Sequence, residues 1–404
     1  MPDTALSDIK VLDLTHHVAG PYCTKLLADY GAEVIKVEPP GRGDPARNVG
    51  PFYRDEPHPD KSGLFLHLNT NKLGITLNLK TPEGVRIFKE LLENVDVVVE
   101  NFAPRVMPGF GLSYEELAKV NPWVIMTSIS NFGQTGPYRD FVATEITLYA
   151  MECHMAQTGL LDREPIYLGG AISQYLAGNT AALATMAGIM GARLQGEGQQ
   201  IDVSIVESWL GTGAGIASLT KYIYSGLLEK RASGTGRILP ALDGFVHFVA
   251  AGAGAGPPPQ REWSRLVKLL DMPELLDDER FATFAARSEN VGELLNLVRP
   301  WLTERTKFEI TRLSQAERVF AAPLLTVDEV VNDPHNVARG FFEEVDHPAT
   351  GPLRYPGAPA KMTETPRPPA RPAPMLGQHN DEMYSGRLGY SKIDLVRLRE
   401  AGII

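Results

Sequence analysis

Ile9-Lys10-Val11-Leu12-Asp13-Leu14, then residues 21–30, then Glu33-Val34-Ile35-Lys36-Val37, form the stretch that decides the fold. The outer two segments are short apolar runs of strand length, and Pro21 opens a helix between them, its fixed φ and missing N–H suiting a first turn. Strand, helix, strand is a βαβ unit, and the pattern continues outward. A helix over 82–94 carries Val85, Ile87, Phe88, Leu91 and Leu92 at helical spacing and runs into the strand Val95-Asp96-Val97-Val98-Val99; residues 123–128 supply another strand. Such alternation predicts a mostly parallel, helix-covered sheet with ligands beyond the carboxyl ends of its strands. Residues 174–194 are rich in Ala, Gly and Met, which suits a close-packed buried helix closed by Gly196-Glu197-Gly198, and a strand follows over 200–205. Residues 233–242 read as loop. Beyond them come a strand over 244–251, a Gly/Ala/Pro loop over 252–259, and helices through Trp263 and Trp301, which with Phe281 form the core of a smaller region. The prolines from Pro366 to Pro374 predict an extended surface connector, and a last helix over 393–400 ends at Gly402.

Composition narrows the function classes. The chain has 404 residues, 43% hydrophobic and 22% charged, enough for a sizeable core and unlike a disordered protein. Its net charge of −10, with no Lys/Arg stripe, excludes a general nucleic-acid binder, so a phosphate-bearing ligand must be held by a few local groups. Two cysteines, Cys23 and Cys153, build neither a disulfide framework nor a four-cysteine zinc site. No basic and apolar leader pattern opens the chain, and the small-apolar stretch over 181–192 is too short to span a bilayer. The expectation is a cytoplasmic, reduced, soluble protein with no membrane partner.

The turn after the first strand, Thr15-His16-His17-Val18-Ala19-Gly20-Pro21, lacks the G-x-G-x-x-G that brings a backbone up to a pyrophosphate, and no P-loop motif occurs. His16 and His17 do not read as metal ligands: neighbours in an extended segment point opposite ways, and no third histidine stands at ligand spacing. One packs and one lines a cleft. No G-x-S-x-G elbow is present, and Cys153 with His154 beside it makes no thiol dyad.

Taken together, several blocks say more. Val11 to His16 with Ala19-Gly20-Pro21, then Leu27-Ala28-Asp29-Tyr30-Gly31-Ala32-Glu33-Val34-Ile35-Lys36-Val37-Glu38, resemble the opening of the class III CoA-transferase family, the formyl-CoA transferase and carnitine dehydratase type. Asn71-Lys72, Lys80-Thr81-Pro82-Glu83-Gly84, Glu100-Asn101-Phe102, Phe132-Gly133-Gln134-Thr135-Gly136-Pro137, Gly198-Gln199, Asp333-Pro334-His335 and Pro374-Met375-Leu376-Gly377-Gln378-His379 follow in the family's order. The resemblance implies an α/β fold: a large Rossmann-like domain from 1–224 and 331–404, a small α/β domain over 225–330, and two interlocked subunits. It implies coenzyme A or acyl-CoA as substrate, no metal, and transfer of CoA to a small carboxylic acid. In that chemistry an enzyme aspartate attacks the thioester and passes through mixed anhydrides and an aspartyl-CoA thioester, conserving the thioester's energy. It also implies His16, His17, Val18, Lys72, Asn101, Phe102 and Arg105 as CoA-binding positions.

This chain departs from the family pattern at the aspartate. The matching segment is Gly169-Gly170-Ala171-Ile172-Ser173-Gln174-Tyr175-Leu176-Ala177-Gly178, with Gln174 in the nucleophile's place, and no Asp or Glu occurs between Glu164 and Glu197. A carboxamide is neutral and cannot form an acyl-enzyme by that route. Cations that hold CoA phosphates in the family are replaced by Pro39-Pro40 and Gly109, leaving Lys36, Arg42, Lys72 and Arg105 nearby. Glu145, in Thr144-Glu145-Ile146, matches a family carboxylate beside the active site and is the fallback nucleophile. The pattern resembles a two-subunit transferase of toluene degradation that moves CoA from succinyl-CoA to benzylsuccinate, so this chain reads as the non-catalytic subunit beside an aspartate-bearing paralogous partner. Three alternatives stay open: a stand-alone enzyme using Glu145 or water, a 2-methylacyl-CoA racemase with Thr144 and Gln174 where its His and Asp would stand, and a non-catalytic acyl-CoA-binding module. Gly252-Ala253-Gly254-Ala255-Gly256 resembles a mobile lid over the acyl site.

Overall fold

The computed structural model describes residues 4–212, 216–228, 238–249 and 260–404. Six parallel strands, β1 (Lys10–Asp13), β2 (Glu33–Glu38), β3 (Leu73–Thr76), β4 (Val97–Glu100), β5 (Ile125–Ser130) and β6 (Gln199–Ser204), lie in the order β3-β2-β1-β4-β5-β6. Helices α1 (Ala19–Asp29), α2 (Pro82–Leu92), α3 (Glu145–Met151) and α4 (Ile172–Gln195) matter most for the site.

Burial on both faces explains the unbroken apolar strands. In β1 Val11 packs against Cys23 and Leu27 of α1 and against Ala177 and Ala181 of α4, whereas Leu12 faces the opposite core with Ile87 and Phe88 of α2 and Leu395 of the last helix, Lys392–Glu400. α1 begins at Ala19, two residues before Pro21, because the first four N–H groups of a helix need no helical acceptor and a proline there costs no bond. α4 packs closely: a Cβ on Gly178 would stand 2.7 Å from the Ala19 carbonyl oxygen. It stops at Gly196, whose φ of 85° is left-handed. The close-packed buried helix expected is buried on one face only; its outer face exposes Leu183, Met190 and Leu194, at 74%, 62% and 85%.

The proline-rich connector is no free surface run. Asn71 and Arg371 exchange backbone and side-chain hydrogen bonds, the Pro374 carbonyl accepts from Arg47 Nη2 at 3.0 Å, and His379 Nδ1 accepts from Gly74 N at 2.9 Å. The returning chain thus covers edge strand β3, whose ladder groups would otherwise be open to another chain.

By internal contacts the chain divides into two units, one of residues 1–158, 165–230 and 338–404, the other of 159–164 and 231–337. In the first, β10 (Phe342–His347) and β11 (Gly351–Pro356) form a hairpin. In the second, β7 (Ile238–Ala241), β8 (Gly244–Phe248) and β9 (Ala321–Pro323) form an antiparallel sheet. Ile238–Ala241 was expected to be loop; it is a strand because Leu239, opposite Val246, finds a buried place in this unit's core. Trp263 and Phe281 are buried there, and Trp301 packs against them partly exposed, under Arg305. The glycine-rich stretch from Gly252 to Gly256 lies outside the described residues.

Candidate functional site: two cavities at the sheet's switch point

Strand order reverses between β1 and β4, and the loops leaving those two strands diverge to leave a crevice. They are clamped together: His16 N donates to Asn101 Oδ1 at 2.7 Å and Asn101 Nδ2 donates back to the His16 carbonyl at 2.8 Å. Phe102 stacks edge-on against His16, centroids 5.2 Å apart. His17 holds a φ of 64°, and its N–H donates to Asp44 Oδ1 at 3.0 Å.

The two histidines open onto different spaces. His16 borders a cavity of 780 Å³ with Arg42, Asn78, Lys80 and Phe102. His17 borders one of 570 Å³ with Val18, Asn101, Arg105, Arg139, Glu145 and Gln174, and Phe102 lies in both walls. Burial, helped by the Lys36 ammonium, pushes the His16 imidazole below its ordinary range. The larger cavity has the size of a cofactor site, with a guanidinium and an ammonium at its wall for phosphate.

Six of the seven expected CoA-binding positions meet at these cavities. Lys72 does not. Its ammonium is enclosed, 2.9 Å from Asp13 Oδ2 and within 2.8–3.0 Å of Thr24 Oγ1, Asn69 Oδ1 and the Pro21 carbonyl. Lys36 is likewise buried against Asp44 at 3.0 Å and donates to the Thr15 carbonyl. Burial alone would raise the Asp13 carboxyl, but Lys72, Lys36 and the Thr15 and Thr24 hydroxyls hold it well below the usual carboxylate range. These lysines fasten the loops and are not free for phosphate. Arg105 is exposed, its nearest acid Asp140 at 3.9 Å. Lys80, just ahead of α2, and Arg139 were missed; Lys80 was visible in the Lys80-Thr81-Pro82 helix-start signal, Arg139 carried none.

The smaller cavity reaches the first turn of α4. Ser173 is bracketed there by two carboxyl groups: its N–H donates to Glu145 Oε1 at 2.8 Å and its hydroxyl to Glu152 Oε2 at 3.1 Å. Glu145 opens α3, fixed by a capping box between Thr144 and Thr147, and its Oε2 has no hydrogen-bond partner among the described residues. Burial, with the Glu145 charge adding to it, pushes Glu152 up to about 7. Gln174 follows Ser173, and no hydrogen bond among the described residues occupies its amide. No cluster of three or more His, Cys, Asp or Glu that could hold a metal occurs among the described residues, and no helix there is long and apolar enough to cross a membrane.

A doubly wound sheet whose switch point opens onto two cavities, the larger with a guanidinium and an ammonium at its wall, is the frame of an α/β enzyme with a phosphate-bearing ligand. The chain belongs to CoA-transferase family III, whose sequence profile matches residues 6–380. It is 36% identical to succinyl-CoA–D-citramalate CoA-transferase of Chloroflexus aurantiacus over 100% of this chain and 99% of that one. It is 33% identical to human succinyl-CoA:glutarate CoA-transferase over 99% and 90%. Among solved structures it is similar to a CAIB/BAIF family protein from Brucella suis, 30% identical, TM-score 0.81, covering 95% and 99%. It is therefore an enzyme of the CoA-transferase kind, with acyl-CoA as substrate and a carboxylic acid as the other.

Proposed function

We propose that this chain is the nucleophile-free subunit of a heteromeric CoA-transferase, interlocked with an aspartate-bearing paralogue that moves CoA from succinyl-CoA to a dicarboxylic acid, benzylsuccinate among the candidates. The observation that carries the reading is Gln174, in the first turn of α4 at the wall of the 570 Å³ cavity. A carboxamide there donates and accepts hydrogen bonds but cannot take up an acyl group as an anhydride and return it. The names of the relatives support succinyl-CoA as donor. The apolar outer face of α4 supports a covering partner, since exposed patches of this kind mark interfaces. Arg42 and Lys80 in the larger cavity support CoA binding by this chain itself. Free Cys23 and Cys153 support a cytoplasmic setting.

A second reading has one observation in its favour: Glu145 shares the cavity with Gln174 and keeps one oxygen unpartnered, so it is the carboxylate nearest to replacing the missing nucleophile. Turnover separates the two. The purified chain with succinyl-CoA and acceptor acid should be silent, and activity should appear when the paralogue is added. Hydroxylamine trapping during turnover should mark a carboxylate of the paralogue; a modified Glu145 would establish the second reading instead.

A further inference from the structure

Resting on the reading that the smaller cavity receives a carboxylic acid, we infer that Arg139 is a specificity-determining residue that selects a dicarboxylic acid by holding the carboxylate remote from Gln174. The charges around this cavity lead to it. Glu145 accepts the Ser173 N–H through one oxygen, and Arg105 lies nearest to Asp140, which is also in the wall. Arg139 is the cation of that wall with no ion pair or side-chain hydrogen bond among the described residues, so its five donors are available for a planar anion. At the other end the Gln174 amide is uncommitted, and a carboxamide can donate an N–H to a carboxylate where an aspartate would repel it. The cavity wall thus carries a donor for each of the two carboxylates of a diacid.

The backbone on either side of Arg139, itself an exposed residue, is tied down. Gln134 N donates to both oxygens of Asp202, at 3.0 and 2.9 Å, anchoring the loop to β6. Phe132, Tyr138 and Phe141 then pack on one another with centroids 4.8–6.2 Å apart, clasping the loop on both sides of Arg139. A cation on a fixed loop loses less freedom on binding than one on a loose tail.

The test is calorimetric titration of the purified full chain, saturated with CoA, using succinate and glutarate against butyrate and valerate at equal ionic strength. The diacids should bind about tenfold to a hundredfold more tightly, the range of one charge-assisted pair. Arg139→Gln should bring that ratio close to one with CoA affinity unchanged, and Arg139→Lys should keep part of it. Equal affinity for both acid classes in the unaltered chain, or a preference that survives Arg139→Gln, would overturn the inference. Failure to bind CoA with the diacid preference intact would sink the transferase reading and leave the role of Arg139 standing.

Discussion

Replacing Lys72 with Met separates a residue that builds the site from one that touches the ligand. The Lys72 ammonium is wholly enclosed and meets four oxygens within 3.0 Å, the Asp13 carboxylate among them. Lys72→Met removes that charge and leaves Asp13 buried, with Lys36 already committed to Asp44. Breaking a buried pair on one side costs about 3–5 kcal/mol, and at roughly 1.2 °C per kcal/mol for a chain of 404 residues the melting temperature should fall by roughly 5 °C. Asp13→Asn in the same chain should restore most of the loss, because the uncompensated charge goes with it. Differential scanning calorimetry of the single and double variants reads both numbers. CoA affinity at 25 °C should match the unaltered chain, since Lys72 lines neither cavity. A melting temperature within about 1 °C of the original together with weakened CoA binding would refute this account and return Lys72 to the phosphate site.

Gln174→Asp should let hydroxylamine trap an acyl group at position 174 when succinyl-CoA is supplied to the chain alone; mass spectrometry that finds CoA bound and position 174 unmodified would show that this cleft cannot present its thioester. Arg42→Ala and Lys80→Ala should each weaken CoA binding by about fivefold to tenfold at low salt and less at high salt, as expected of exposed phosphate contacts; salt-independent losses would contradict that role. Glu100 is pushed up to about 7 by burial, so the folded chain keeps a proton that the unfolded chain releases from about pH 4.5 upward. Its contribution to stability is present below that range and is lost as pH rises through 7. Glu100→Gln should flatten this slope, worth about 3 kcal/mol at most, in denaturation midpoints measured from pH 4.5 to 8.

How far the sequence could be read depended on whether a residue's role was local. β1, α1 and β2 were legible because the period of apolar residues and the place of Pro21 are set within a few positions. That Gln174 stands where the family pattern has an aspartate was legible because it is a statement about residue type. The Lys72–Asp13 pair was not legible for a physical reason: a lysine beside Asn71 looks the same whether it faces a phosphate or an aspartate 59 positions away, and only the parallel pairing of β1, β2 and β3 brings Asp13 to it. Ile238–Ala241 failed in the same way, since its partner strand decides its state. Arg139 had no periodicity or motif around it, and its significance comes from the cavity alone.

The neutral residue at 174 also fits the electrostatics of the helix on which it sits. The start of a 24-residue helix presents unpaired N–H groups and the positive end of the macrodipole, a place that favours one nearby anion. In this chain Glu145 fills that place from α3 by accepting the Ser173 N–H, and Glu152 stands on the other side of Ser173 with its carboxyl pushed toward the protonated form. An aspartate at 174 would be a third carboxyl group around one helical turn, raised in pKa by its neighbours and a poorer nucleophile at neutral pH. With the anion supplied from α3, α4 keeps its N-terminus satisfied without an acid of its own. Relief of that crowding predicts that the double variant Glu145→Gln with Gln174→Asp should turn over faster at pH 7 than Gln174→Asp alone. The opposite order of rates would mean that Glu145 assists the reaction and does more than seat the helix.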